Sequence, residues 1–228
     1  MKCTYFLLLS FLACATAYKC CPPTQYECLF GQMGGFYVES TKQAGLLSAA
    51  ANVHSDRKNG KVAFFEELNS GGHVSHVKLV QDYKKSVQYL VIDGVCTKTA
   101  LPGTIDDHVC IPDDAQFITT IDYGIGALQA NIFLYNVVQM GANTTAYVAV
   151  KTTDCVPIGM NAVVISAGTA TVVSGGYVNV TLGIKDPSVF DVPASCDHTF
   201  PIKKMQDTYP GSEYMKALID QFKHAWSN

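Results

Sequence analysis

Charge is scarce in this chain: 15% of its 228 residues are Asp, Glu, Lys or Arg, and the formal net charge is -3. Neither the basic stripe of a nucleic-acid binder nor a strongly acidic surface can be assembled from so few, so nucleic acid is not expected as a partner. No apolar run approaches the roughly 20 residues that span a bilayer, so no membrane span is expected. Low-complexity linkers and internal repeats are missing, which leaves one domain as the simplest organisation. The usual catalytic signatures are missing too: there is no G-x-S-x-G elbow, no H-E-x-x-H helix, no phosphate loop and no G-x-G-x-x-G after a strand. A C-x-x-C pair, the mark of a zinc ribbon or a thioredoxin-like redox site, is absent. The expectation is a non-catalytic protein without an organic cofactor, and a hydrolase lacking a recognised motif is the weaker alternative.

What is present begins with a leader. Lys2, the apolar run Tyr5 to Leu12 and the small residues Ala15-Thr16-Ala17 have the charged, apolar and cleavable parts of a secretory signal peptide. Residues 1–17 are read as that signal and residues 18–228 as a single domain, secreted, with the lysosomal lumen as the alternative destination. Export gives meaning to the sequons Asn143-Thr144-Thr145 and Asn179-Val180-Thr181, since a glycan acceptor has to be exposed.

Seven cysteines follow the leader: Cys20, Cys21, Cys28, Cys96, Cys110, Cys155 and Cys196. In an oxidising compartment an odd count means disulfides plus one thiol that is free or joined to a second chain. Spacing alone leaves the connectivity open.

Most of the chain reads as short strands between turn signals. Leu46 to Val53 and Lys61 to Leu68 flank an Asn59-Gly60 turn, and Val77 to Asp82 pairs with Ser86 to Ile92 through Tyr83-Lys84-Lys85. Cys96 to Ala100, Ala130 to Val138, Tyr147 to Thr152, Met160 to Ser166 and Ala170 to Leu182 complete the set, with Gly175-Gly176 taken as a break. Over Tyr177 to Leu182, Val and Leu alternate with Tyr, Asn and Thr, which predicts a dry face opposite a wet one carrying Asn179. After Ser212, the residues Met215, Leu218, Ile219, Phe222 and Trp226 recur at helical spacing and predict a C-terminal helix across the sheet. A long antiparallel sheet covered by one helix makes either a closed barrel or an open half-barrel around an apolar hollow. Periodicity does not choose between them.

Two polar groups compete for a metal. His73 and His76 fall on opposite faces of a strand, which argues against a joint site. Asp106, Asp107, Asp113 and Asp114 form the densest carboxylate group, in a stretch with turn character, and hard oxygen ligands on a loop suit calcium. EF-hand spacing is absent, and a solvated acidic loop is the plainer reading.

The most specific segment is Leu182-Gly-Ile-Lys-Asp-Pro-Ser-Val-Phe190, followed by Pro193 and Ser195-Cys196. A strand runs into a proline that removes a donor, and a cysteine fastens the exit. Together with the Cys-x-Pro-Pro start, Ile92-Asp93-Gly94, Tyr123-Gly-Ile-Gly126 and Thr153-Asp154-Cys155-Val156-Pro157, this segment resembles the signature of ependymin-related proteins, secreted glycoproteins of animals. The resemblance covers nearly the whole chain after the leader. It implies a mainly β (α+β) fold: a strongly curved antiparallel sheet forming a half-barrel like that of the bacterial lipoprotein carriers, with an apolar pocket. It also implies a homodimer, and calcium binding through ligands that it does not place.

For the disulfides, the resemblance implies the N-terminal cysteine, Cys20 or Cys21, with Cys155, and Cys96 with Cys196. Cys28 and Cys110 are extra to the pattern and are expected to pair with each other. The cysteine left over at the N-terminus then either cross-links a dimer or lies buried. The pocket wall is expected to include Phe64, Val91, Phe133 and Val150, and the ligand to be a lipid or other amphipathic molecule. The alternative implied by the family is an adhesion or matrix role, with an extracellular partner such as collagen.

Overall fold

The computed structural model describes residues 20–70, 73–139, 142–166 and 168–197. The predicted leader and the predicted C-terminal helix lie outside the described residues. Eleven strands form one antiparallel sheet. They are β1 (Gln25–Val38), β2 (Gln43–Asp56), β3 (Lys61–Ser70), β4 (His73–Asp82), β5 (Val87–Ile92), β6 (Val95–Ala100), β7 (Gln116–Tyr123), β8 (Leu128–Gln139), β9 (Ala142–Lys151), β10 (Pro157–Ser166) and β11 (Thr169–Leu182). A short helix, α1 (Ile105–Val109), stands between β6 and β7, and two 3₁₀ turns (Pro187–Phe190 and Ala194–Asp197) follow β11.

The strand order is β6-β5-β4-β3-β2-β1-β11-β10-β9-β8-β7. Two meanders, β1 to β6 and β7 to β11, are therefore joined back to back where β11 pairs with β1. The join needs glycine. A Cβ on Gly34 would collide with the carbonyl of Val172 on β11, so only a bare backbone fits there. The glycines Gly31, Gly34 and Gly35 lie within β1, the central strand that sequence reading did not find. Gly175 and Gly176, taken as a break, run through β11 as strand residues.

Register fixes the faces. Tyr26, Cys28 and Phe30 of β1 stand beside Ser55, Val53 and Ala51 of β2, which in turn stand beside Val62, Phe64 and Glu66 of β3. On the other half, Tyr177 of β11 stands beside Phe30, Met160 of β10 beside Val148 of β9, and Val148 beside Phe133 of β8. These positions share the inner face.

The alternation predicted over Tyr177 to Leu182 is broken in the structure: Tyr177 and Val178 take the faces opposite to those expected, whereas Asn179 and Val180 take the expected ones. Tyr177 packs inward on Phe30, with ring centroids 4.6 Å apart, and Val178 is 54% exposed. The cause is a bulge: the register shifts between Glu27 and Leu29, and Asn179 takes a φ of +55°, so Val180 again packs inward on the Tyr26 cluster. Asn179 is exposed, as is Asn143.

Candidate functional site

Curvature creates the site. Residues of β3 (Val62, Phe64) and of β8 and β9 (Tyr135, Val148, Val150) line the same cavity, although β3 and β8 are six places apart in the strand order. A flat sheet would hold them about 29 Å apart, six spacings of about 4.8 Å. The sheet is thus open and curled, and its inner face encloses a cavity of about 160 Å³.

One end of this cavity is closed by the start of the described chain and by α1. Cys20 bonds Cys155, Cys21 bonds Cys110 and Cys96 bonds Cys196, while Cys28 is free and buried. The first and last of these bridges are the pairings that the resemblance implies. The expected Cys28–Cys110 bridge does not form. Cys21 precedes a proline and is held extended, so Cys20 and Cys21 project to opposite sides and reach different partners, whereas alternation along β1 turns Cys28 inward between Tyr26 and Phe30. The odd cysteine is therefore Cys28 and not an N-terminal one.

The clamp is completed by hydrogen bonds. The Ile111 N–H donates to the Cys20 carbonyl at 2.8 Å, and Arg57 donates to the Pro22 carbonyl and to Asp106 Oδ1, each at 3.4 Å. Cys20, Pro22, Cys110, Ile111 and Cys155 accordingly line the closed end.

The stretch expected to be a calcium-binding turn is α1 and its flanks. Thr104 caps the helix, and Asp107 Oδ2 accepts from the Thr104 N–H at 2.9 Å and from its hydroxyl at 2.8 Å. Asp106 faces Arg57, and Asp113 and Asp114 are exposed. The four carboxylates do not converge. The group of described residues with metal-ligand spacing is Cys21, Asp106 and Cys110, and both of its sulfurs are spent in a disulfide.

Of the expected wall residues, Phe64 and Val150 line the cavity, and Phe133 packs beside it with Val148 against Ile111 and Val150. Val91 does not belong there. It alternates with Leu90 and Ile92 onto the outer face, where it packs on Cys96, Cys196 and Tyr89 and borders an open hollow with Phe65 and Lys78.

The chemistry of the wall is that of neutral donors. Burial, with the Cys28 thiol beside it, pushes Tyr26 up to about 12, and the nearby Ser55 hydroxyl opposes this only weakly. Burial likewise raises Tyr135 and Tyr177. It pushes the Cys28 thiol up to about 11, which leaves it protonated and unreactive. Ser55 Oγ is buried at the wall without a hydrogen bond of good geometry. These groups can orient a guest by hydrogen bonding; none is an activated nucleophile.

Sequence reasoning missed a polar pair on the same face. Gln32 Nε2 donates to Glu66 Oε1 at 3.1 Å, reaching across β2 over Ala49 and Ala51. Burial raises the Glu66 carboxyl, and the Gln32 bond counters this only in part.

The signature segment lies on the outer face. Phe190 is buried against Ala63 and Val80, Lys78 Nζ donates to the Asp191 carbonyl at 2.8 Å, and the Lys185 N–H donates to Glu27 Oε1 at 3.0 Å. The same Glu27 oxygen faces His54 Nδ1 at 3.1 Å. Asp186 opens the 3₁₀ turn by accepting from the Ser188 N–H, and hydrogen bonding by the Ser188 hydroxyl, then by that N–H, holds its carboxyl below the usual range. The segment is a strap ending in the Cys96–Cys196 bridge. This strap closes the stretch of chain, residues 72–196, that the ependymin sequence profile matches.

The chain belongs to the ependymin family. It is 28% identical over 200 residues to ependymin-related protein 1 of Haliotis asinina, an alignment covering 84% of this chain and 96% of that one. A DUF1329 family protein from Desulfovibrio piger overlays 74% of this chain and 90% of its own at 6% identity and a TM-score of 0.30, an overlap too loose to transfer anything between the two. The ependymin segment holds the strap, α1, Cys155 and the second meander. Phe64, Glu66 and Gln32 precede it.

Proposed function

We propose that the protein is an exported, non-catalytic binding protein that holds the apolar end of an amphipathic small molecule in the concave cavity. The observation that carries this reading is the unfilled space of about 160 Å³ enclosed by Phe64, Val148, Val150, Met160 and Tyr177 and closed by the disulfide clamp. An engineered apolar core cavity of about 150 Å³ takes up benzene. The space thus suits the end of a hydrocarbon chain, and the rest of the guest runs along the trough. Each Å² of apolar surface removed from water contributes about 25 cal/mol. The neutral phenols at the wall supply hydrogen bonds without the cost of burying charge. Export follows from the leader, and the exposed Asn143 and Asn179 are the glycan acceptors.

Native mass spectrometry of the secreted protein is expected to show a co-purifying apolar adduct, and an environment-sensitive hydrophobic dye is expected to displace it. Met160→Trp fills the cavity and is expected to weaken dye uptake at least about tenfold, the equivalent of about 1.4 kcal/mol. Uptake equal to that of the unmodified protein would reject the cavity as the binding site.

A further inference from the structure

Among the described inner-facing side chains of β1 to β6, Glu66 is the only Asp, Glu, Lys or Arg. Its neighbours on that face are Phe64 and Leu68 on its own strand, Ala51 on β2 and Val77 on β4. Gln32 is its hydrogen-bond partner, and the four ion pairs among the described residues all lie elsewhere. Oε2 receives no hydrogen bond from a described residue, and a neutral amide donor at Oε1 cannot balance a negative charge.

A half-buried carboxylate in apolar surroundings is costly unless a cation reaches it. Glu66 also lies two residues from Phe64 along one strand, about 6.6 Å at the rise of an extended chain. A guest whose apolar end enters the cavity past Phe64 therefore brings its next atoms to this carboxylate.

We infer that Glu66 is the polar anchor of the trough and that the guest it selects is a long-chain primary amine, its ammonium group bonded to the Glu66 carboxylate and its hydrocarbon chain in the cavity. The inference rests on the binding role proposed above and adds the chemical class of the guest. Burial, which raises the Glu66 carboxyl, is what a cation at this position would relieve. A fatty acid would set a second negative charge against the first. A long-chain alcohol would donate one hydrogen bond to Oε2 and leave the charge unbalanced. The order of affinity is therefore amine, then alcohol, then carboxylate. Glu66 and Gln32 both lie before the matched segment 72–196, so this preference is read from the residues of this chain.

The test uses the intact secreted protein and three probes of one chain length, dodecylamine, dodecanol and dodecanoate, each below its micelle concentration, in competition with a hydrophobic dye at neutral pH. The unmodified protein is expected to bind the amine at least about tenfold more tightly than the alcohol, since hydrogen bonds to charged groups exceed neutral ones by about that factor. Glu66→Gln keeps the shape and the bond to Gln32, and by removing the charge it is expected to weaken the amine until amine and alcohol bind within about twofold of one another. Equal affinity of the unmodified protein for amine and alcohol overturns the inference and leaves the cavity reading standing. Failure to bind any of the three overturns the cavity reading itself. The comparison of probes on the unmodified protein decides the matter even where the variant does not fold.

Discussion

Two of the disulfides close loops of nearly equal length, yet they lie on opposite faces of the sheet, and this separates stability from binding in one experiment. Cys21–Cys110 spans 89 residues and Cys96–Cys196 spans 100. In the chain-entropy model these loops stabilise the fold by about 4.6 and about 4.7 kcal/mol. The double variants Cys21→Ala/Cys110→Ala and Cys96→Ala/Cys196→Ala are thus expected to lose stability to a similar extent in denaturant titrations. Their effects on the guest differ. Cys110 lines the cavity and Arg57 reaches from β2's turn to Asp106 and Cys110, so release of α1 opens the closed end. Cys96 and Cys196 pack with Val91 on the outer face. Dye affinity, measured at a temperature where both variants are folded, is expected to fall at least about tenfold in the first variant, about 1.4 kcal/mol, and to stay within about twofold in the second. Equal affinity in the two variants, or an intact affinity in the first, would refute the placement of the clamp at the cavity.

Two further outcomes follow from buried titratable groups. Burial raises the Glu66 carboxyl above 4.5, so the folded protein holds that proton more tightly than the unfolded chain. The contribution is fully present below the unfolded value and is lost as pH rises through the folded one. None of the residues facing Glu66 from neighbouring elements (Gln32, Ala51, Phe64, Leu68 and Val77) titrates, so the stability gained by Glu66→Gln is expected to grow between pH 4 and pH 7 in parallel urea titrations; a pH-independent difference contradicts it. Cys28 supplies a thiol count: a chain beginning at Tyr18 has seven cysteines, of which three bridges use six. A maleimide is expected to label no thiol in the folded protein and one after unfolding without reductant. Zero or three labels in the unfolded protein would rule out this connectivity.

Much of the first meander could be read from the residues, because β2 alternates cleanly and turn signals such as Asn59-Gly60 separate the strands. The glycine takes a φ of +69° there. β1 was hidden by the very glycines that let β11 approach, since Gly31, Gly34 and Gly35 carry the composition of a loop. β7 was hidden for a different reason. Its eight residues are all exposed at the sheet's edge, so burial imposes no pattern on Phe117, Ile118, Ile121 and Tyr123. The phase of β11 turned on one bulge at Asn179, which propensity does not announce. Within the site, Phe64 and Val150 were legible as apolar residues on strands. Val91 was assigned to the wrong face because in Leu90-Val91-Ile92 every residue is apolar, and a shift of one position moves a side chain through the sheet. Glu66 was not legible, since in Phe64-Phe65-Glu66-Glu67 either glutamate fits the inner face until register decides.

The two faces of the sheet divide the work. The outer face of β3 to β6 is occupied by the strap, whose Phe190 covers Ala63 and Val80 and whose end is bonded to Cys96. The strap fills the part of that face beside the hollow bordered by Val91, Phe65 and Lys78, and losses at the strap are losses of stability. The inner face joins the two meanders around Tyr26, Phe30, Phe64 and Tyr177, where residues from strands far apart in order meet. Because the edges β6 and β7 do not pair with one another, curvature and not closure brings those residues together. Two bridges at the start of the described chain, Cys20–Cys155 and Cys21–Cys110, then tie the end of β9 and the end of α1 to a single point. An open sheet could flatten and spill its guest. Fastening both elements to adjacent residues holds the curl at the one place where the cavity is shut, so under the binding role proposed above the clamp is expected to set affinity and the strap the amount of folded protein.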